Sequence, residues 1–188
     1  MSDEKALDRS GLQAEPTPAP PLTIGSRVSY FPVSLVKLVV MHFCTLGAYQ
    51  YYWIYENWRL IKEREGLDIL PFWRTCFAVI YCFPLFGEIE ASGKLHHLRQ
   101  SISSRVLAGG WVLSTVLSML PDPYWLISFL SVVFLVPVQQ HINRINEQVA
   151  PGHDPNKHFT AWNIVAVVVG GSVFVLALIV TFVAMERL

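Results

Sequence analysis

Charge is scarce in this 188-residue chain. Asp, Glu, Lys and Arg together make up 15% of it, against about 25% in an ordinary soluble domain. The two signs also cancel, fourteen basic residues against fourteen acidic. Without a basic excess there is no electrostatic case for nucleic acid as a partner. Cysteine is equally sparse. Cys44, Cys76 and Cys82 all lie in apolar runs, cannot pair completely, and show no CxxC spacing. They read as small packing residues rather than a disulfide scaffold or a zinc site.

Catalytic signatures are missing as well. The chain has no GxSxG elbow, no P-loop and no paired carboxylates at working spacing. His96-His97 near Glu88 and Glu90 invites a metal reading, but adjacent histidines diverge by about 100° on a helix and no HExxH accompanies them. No enzyme activity, cofactor or metal is therefore expected. No apolar stretch near Met1 reads as a secretory signal, so targeting is expected to rest on the first apolar segment as an uncleaved anchor.

What remains is hydrophobic: 53% of residues, with a mean hydropathy of +0.41. Long uncharged runs put the chain in the membrane class. The expected fold is all-α, a polytopic integral membrane helix bundle of about five transmembrane helices (four is the alternative) behind a disordered N-terminal tail. Residues 1–23 are the Pro-rich tail, and 24–188 the membrane domain. The spans are expected at about 33–55, 69–87, 104–120, 124–142 and 161–185. Ser34 suits the N-cap of the first, and Pro71 the first turn of the second, which Pro84 or Gly87 should kink or end. The apolar pair between 106 and 138 reads as a full hairpin, with a re-entrant pair as the alternative. Periodic Ile142, Ile145 and Val149 extend the fourth helix to about Gln148.

The positive-inside bias sets the orientation. With five spans, Lys5, Arg9, Arg27, Lys94, Arg99, Arg105, Arg144 and Lys157 share one side, and Arg59, Lys62, Arg64 and Arg187 the other. The N-terminus is then expected in the cytoplasm and the C-terminus outside.

Polar residues in apolar surroundings are the candidate ligand or helix-contact sites. At helical spacing His42, Thr45, Tyr49 and Glu56 form one stripe along the first span, either a site or a packing face with a neutral histidine bonded to a neighbouring helix. Arg74 can snorkel, bind an anionic headgroup or pair with Glu56 across a hairpin. Asn143 and Asn146, three apart, face the same membrane side as Thr160 and Asn163. These four can form a polar pocket or a hydrogen-bonded clamp between helices, and Thr160 with Asn163 also suits a helix cap.

The aromatic run Thr45-Leu46-Gly47-x-Tyr49-x3-Trp53-x-Tyr55-x2-Trp58 organises the chain. Most of its rings read as a belt where hydrocarbon meets water. Together with Phe31-Pro32-Val33-Ser34, Pro71-Phe72-Trp73-Arg74, Asn143-x2-Asn146 and Phe159-Thr160-x-Trp162-Asn163, it resembles a family of small multi-pass bacterial inner-membrane proteins of unknown function. The resemblance implies a bacterial cytoplasmic membrane and supplies no activity. The expected role is a non-enzymatic scaffold or accessory component recognising lipid, a partner membrane protein or a second copy of itself. The alternative is a small transporter or lipid-handling protein with a polar intramembrane path.

Overall fold

The structure is a computed structural model and describes residues 27–117 and 124–186. The tail over 1–23 and the Pro121-Asp122-Pro123 break lie outside the described residues. Among these the fold is all-α, with no strand. The helices are α1 Leu35–Cys44, α2 Ala48–Glu65, α3 Pro71–Cys76, α4 Ala78–Leu95, α5 Ser104–Leu117, α6 Ser131–Val149 and α7 Ala161–Met185, with a 3-10 stretch Tyr124–Leu130 leading into α6.

The helix expected over 33–55 is instead two helices. Ser34 caps α1 as its hydroxyl accepts from the Lys37 N–H at 3.3 Å, but α1 ends after 10 residues. Leu46 (φ 51°) and Gly47 (φ 84°) both turn left-handed, and their N–H groups close back onto the carbonyls of Phe43 and His42 at 3.2 and 2.8 Å. This double closure is the Schellman arrangement, which satisfies the last carbonyls and stops a helix. Thr45 locks the reversal: its hydroxyl donates to Met41 O at 2.7 Å and accepts from Tyr49 N–H at 2.9 Å. Ten helical residues rise only about 15 Å, half of a hydrocarbon core roughly 30 Å thick.

α2 then runs back. Arg64, in its last turn, donates to Ser29 O at 3.1 Å and pairs with Glu88 at 3.0 Å. The five-span scheme puts segment 56–68 on the side opposite both Ser29 and Glu88, and the structure corrects this: all three lie together. α1 and α2 form a hairpin that enters and leaves at one end of the molecule.

The stretch expected as the second span is also divided, at Phe77 (φ −100°, ψ 39°) between α3 and α4. Pro84 and Gly87 do not end α4, which continues to Leu95 and takes up half of the expected connector. A left-handed His97 (φ 52°) closes it. Across the following loop Glu90 accepts the Ser104 N–H at 3.1 Å and so caps α5 from a distance. Hydrogen bonds from Lys94 and Ser104 pull the Glu90 carboxyl down to about 2.

α6 extends to Val149, as its periodicity requires, and α7 starts at a capping box in which Thr160 and Asn163 bond each other's backbone. Among the described residues two stretches are long and apolar enough to cross a membrane, Leu126–Val149 and Ala161–Met185. α7 has no buried residue along its 25 positions, and touches the bundle where Gly170 meets the Cys44 carbonyl of α1, an approach that any Cβ would block. Trp53, Trp111, Phe86, Leu135 and Ile142 fill the core between α2, α4, α5 and α6.

Polar ends collect at one pole. The buried Lys37 ammonium reaches Asn156 Oδ1 and His158 O, both at 2.8 Å, which ties the start of α1 to the loop before α7. Arg144 bonds Gln100, which ties α6 to the loop after α4.

Candidate functional site

Ser29 to Val33 leads into α1 as a non-helical segment, bent at Ser29 and Tyr30, with no strand to pair with. Each polar backbone group must then find another partner or be stranded without solvent. The sequence supplies primary amides instead. Asn146 Oδ1 accepts the N–H groups of Ser29 and Tyr30 at 3.0 and 3.1 Å, and its Nδ2 returns a bond to Tyr30 O at 2.8 Å. Asn57 Oδ1 takes the Phe31 N–H at 3.1 Å. Gln139 donates to Phe31 O, Asn156 to Pro32 O and Asn143 to Val33 O, at 3.1 to 3.2 Å.

These amides supply the backbone partners that no helix or strand gives this segment. Gln139, Asn143 and Asn146 stand at i, i+4 and i+7 on α6, one helical face, and Asn57 faces them from α2. They are also bonded among themselves: Gln139 Nε2 donates to Asn143 Oδ1 at 2.7 Å, and Trp53 Nε1 to Gln139 Oε1 at 2.5 Å. The strap's own side chain Tyr30 is fully buried, and burial pushes its hydroxyl above the usual phenol range. Arg64 covers the ring, its guanidinium carbon 4.8 Å from the centroid.

The expected pocket of Asn143, Asn146, Thr160 and Asn163 is thereby resolved into two separate devices. Asn143 and Asn146 clamp the strap. Thr160 and Asn163 form the α7 capping box and do not join them. Sequence reading missed Gln139, Asn57 and Asn156. Gln139 was detectable, because it shares the Asn143 face at four-residue spacing; Asn57 and Asn156 carry no comparable local signal.

The stripe through the first span does not survive as one face, because the reversal at 45–47 separates its members. His42 is buried in α1, its ring edge-on to Phe43 and Phe129 at 5.8 Å. The ring nears the Phe129 backbone, but neither nitrogen meets hydrogen-bond geometry. Thr45 joins the two helices. Tyr49 is buried in α2 beside the Tyr52 ring at 5.7 Å. Glu56 is paired with Arg59 at 2.7 Å rather than with Arg74. Arg74 lies over the Trp58 ring at 4.1 Å.

Half of the aromatic run is core rather than belt. Tyr49, Trp53 and Trp58 are buried, while Tyr51 and Tyr52 are exposed. Deeper in the bundle, Gln50 Oε1 accepts from Trp111 Nε1 at 2.9 Å and Ser131 Oγ at 3.0 Å, a polar node linking α2, α5 and α6. Among the described residues no three His, Cys, Asp or Glu side chains cluster as metal ligands, and Cys44, Cys76 and Cys82 are unpaired. What this arrangement does chemically is hold a backbone segment in place. Compared with protein-family models, with curated proteins and with solved structures, the chain matches none.

Proposed function

We infer that the chain is an integral membrane protein working as a non-enzymatic scaffold or accessory component that engages lipid or a partner helix. The observation that carries this reading is a contrast. The amides that a substrate path would need are already bonded to the chain's own backbone, whereas long apolar faces are left without a protein partner. One face of α7 is exposed along its length, opposite the face that packs on α1, and Phe72, Trp73, Phe77 and Ile80 stand out from α3 and α4 at 53–65% exposure. Contiguous apolar surface of that extent marks contact with a membrane or another protein.

In this reading α5 with α6, and α7, cross the bilayer, while α1–α2 and α3–α4 dip into it from one side. Backbone turns at membrane depth are tolerated where protein buries their polar groups, and the closed reversal at Thr45–Gly47 meets that condition. The charged pole then faces the cytoplasm. With the basic end of α2 on the side of Ser29 and Glu88, so that Arg59, Lys62 and Arg64 count with that pole, the positive-inside bias is stronger than the five-span count gives. By the resemblance, the membrane is a bacterial cytoplasmic one. The working partners are bilayer lipid and another membrane helix, including a second copy of the chain.

Reconstitution tests the role. Membranes carrying the chain and washed with alkaline carbonate should retain it, and liposomes containing it should move neither solute nor lipid above the protein-free rate. Release by carbonate would overturn the membrane reading. Flux abolished by Asn143→Ala would overturn the scaffold reading in favour of a transporter.

A further inference from the structure

Arg74 stands apart from the other cations. Its guanidinium carbon lies 4.1 Å from the centroid of the Trp58 ring and 5.2 Å from that of Tyr81, so two aromatic faces hold it. Among the described residues its side chain has no ion pair or hydrogen bond. The nearest acids along the facing helix are committed elsewhere, since Arg59 takes both Glu56 and Glu63. The buried indole Nε1 of Trp58 has no acceptor either. Arg74 and Trp58 thus place unsatisfied N–H donors side by side. Stacking on rings uses the guanidinium's faces and leaves its N–H edge free, and that planar fork matches two oxygens of one phosphate.

Next to it runs an apolar groove of about 390 Å³ between α2 and α3, lined by Tyr51, Tyr52, Tyr55, Phe72, Thr75 and Cys76. Thr75 follows Arg74 directly, and Tyr55 precedes Trp58 by one helical turn. An unpaired cation at the head of an oily channel is complementary to an amphiphile of opposite charge. We propose that this site binds an anionic phospholipid, with the phosphate on Arg74 and an acyl chain in the aromatic groove. An apolar partner helix would fill the groove and leave Arg74 unpaired, whereas one phospholipid supplies both groups.

The site rests on the membrane reading above but fails separately from it: carbonate extraction tests embedding, and lipid selectivity tests this groove. The full chain, purified in detergent, is titrated with phosphatidylglycerol, phosphatidylcholine or inorganic phosphate, and bound lipid is counted by native mass spectrometry. Phosphatidylglycerol should be retained preferentially, and Arg74→Gln should weaken it about tenfold, the loss of a charge-assisted hydrogen bond. Arg74→Lys should keep part of the preference, and Cys76→Trp, which plugs the groove, should reduce both lipids. Equal retention of phosphatidylglycerol by Arg74→Gln, or its displacement by millimolar inorganic phosphate, would overturn the proposal. To avoid dependence on variant folding, the native chain is photo-crosslinked to phosphatidylglycerol bearing a diazirine on its acyl chain. Adducts within residues 51–76 support the site, and adducts confined to α7 refute it.

Discussion

Asn146 holds Tyr30 by both sides of the peptide backbone, its Oδ1 accepting the Tyr30 N–H at 3.1 Å and its Nδ2 donating to the Tyr30 carbonyl at 2.8 Å. The two residues are 116 positions apart, and both are completely buried. One amide thus satisfies both backbone groups of Tyr30, and so lets a non-helical segment run buried through a helical protein.

That geometry needs a donor and an acceptor at once. Asn146→Asp keeps the size and loses the donor to Tyr30 O; Asn146→Ala loses both. Leaving buried backbone groups unpaired costs about 1–3 kcal/mol each. Asn146→Ala should therefore lower the unfolding free energy in detergent by about 3 kcal/mol. A control at the half-buried Asn163, Asn163→Ala, removes the N3 half of the α7 capping box and should cost about 1 kcal/mol.

The reversal between α1 and α2 makes the same demand on two neighbouring residues, which meet it at different cost. Leu46 adopts a left-handed conformation that costs an L-residue about 1–2 kcal/mol, while Gly47 adopts one freely. Leu46→Gly should then be neutral or stabilising by up to about 1 kcal/mol, since Leu46 is itself exposed and loses little packing. Gly47→Ala should destabilise by about 1–2 kcal/mol. A continuous helix would give the reverse order, because glycine weakens a helix interior and alanine strengthens it. Chemical denaturation of the two variants decides the matter.

Glu90 should make stability depend on acid. Its folded carboxyl is lowered to about 2 from an ordinary value near 4.5 by Lys94 and Ser104. A depressed carboxyl stabilises the fold above its unfolded value and loses that contribution as pH falls through the folded one. The gap in unfolding midpoint between the native chain and Glu90→Gln should be constant above pH 5 and close between pH 4.5 and 2. Thermal melts across that range give the comparison.

The parts legible in the sequence are those written locally. Ser34, the Thr160–Asn163 box, the continuation of α6 and the uncharged α7 each depend on residues within a few positions of one another. The reversal at 45–47 was not legible, because Thr45-Leu46-Gly47 sits in an uninterrupted apolar run and the left-handed turn begins at a leucine. Helical spacing then placed His42 and Glu56 on a face that the turn divides. Asn143 and Asn146 were recognisable as unusual, but their target, Tyr30 to Val33, lies more than a hundred residues away, and nothing local says that a non-helical segment passes there. Arg64 illustrates the same limit: helix counting separates it from Ser29 and Glu88, the partners that tertiary packing gives it.

The account depends most on α1 and α2 entering and leaving by the same side, and one measurement addresses it directly. Cys44, Cys76 and Cys82 are replaced by alanine, and single cysteines are placed at Glu63, Ser101 and Glu186, all exposed in the structure. Sealed membrane vesicles of known orientation are then treated with an impermeant maleimide. Cysteines at Glu63 and Ser101 should label from the same side and Glu186 from the other. Labelling of Glu63 together with Glu186, opposite Ser101, would restore five crossings and contradict the half-depth hairpin.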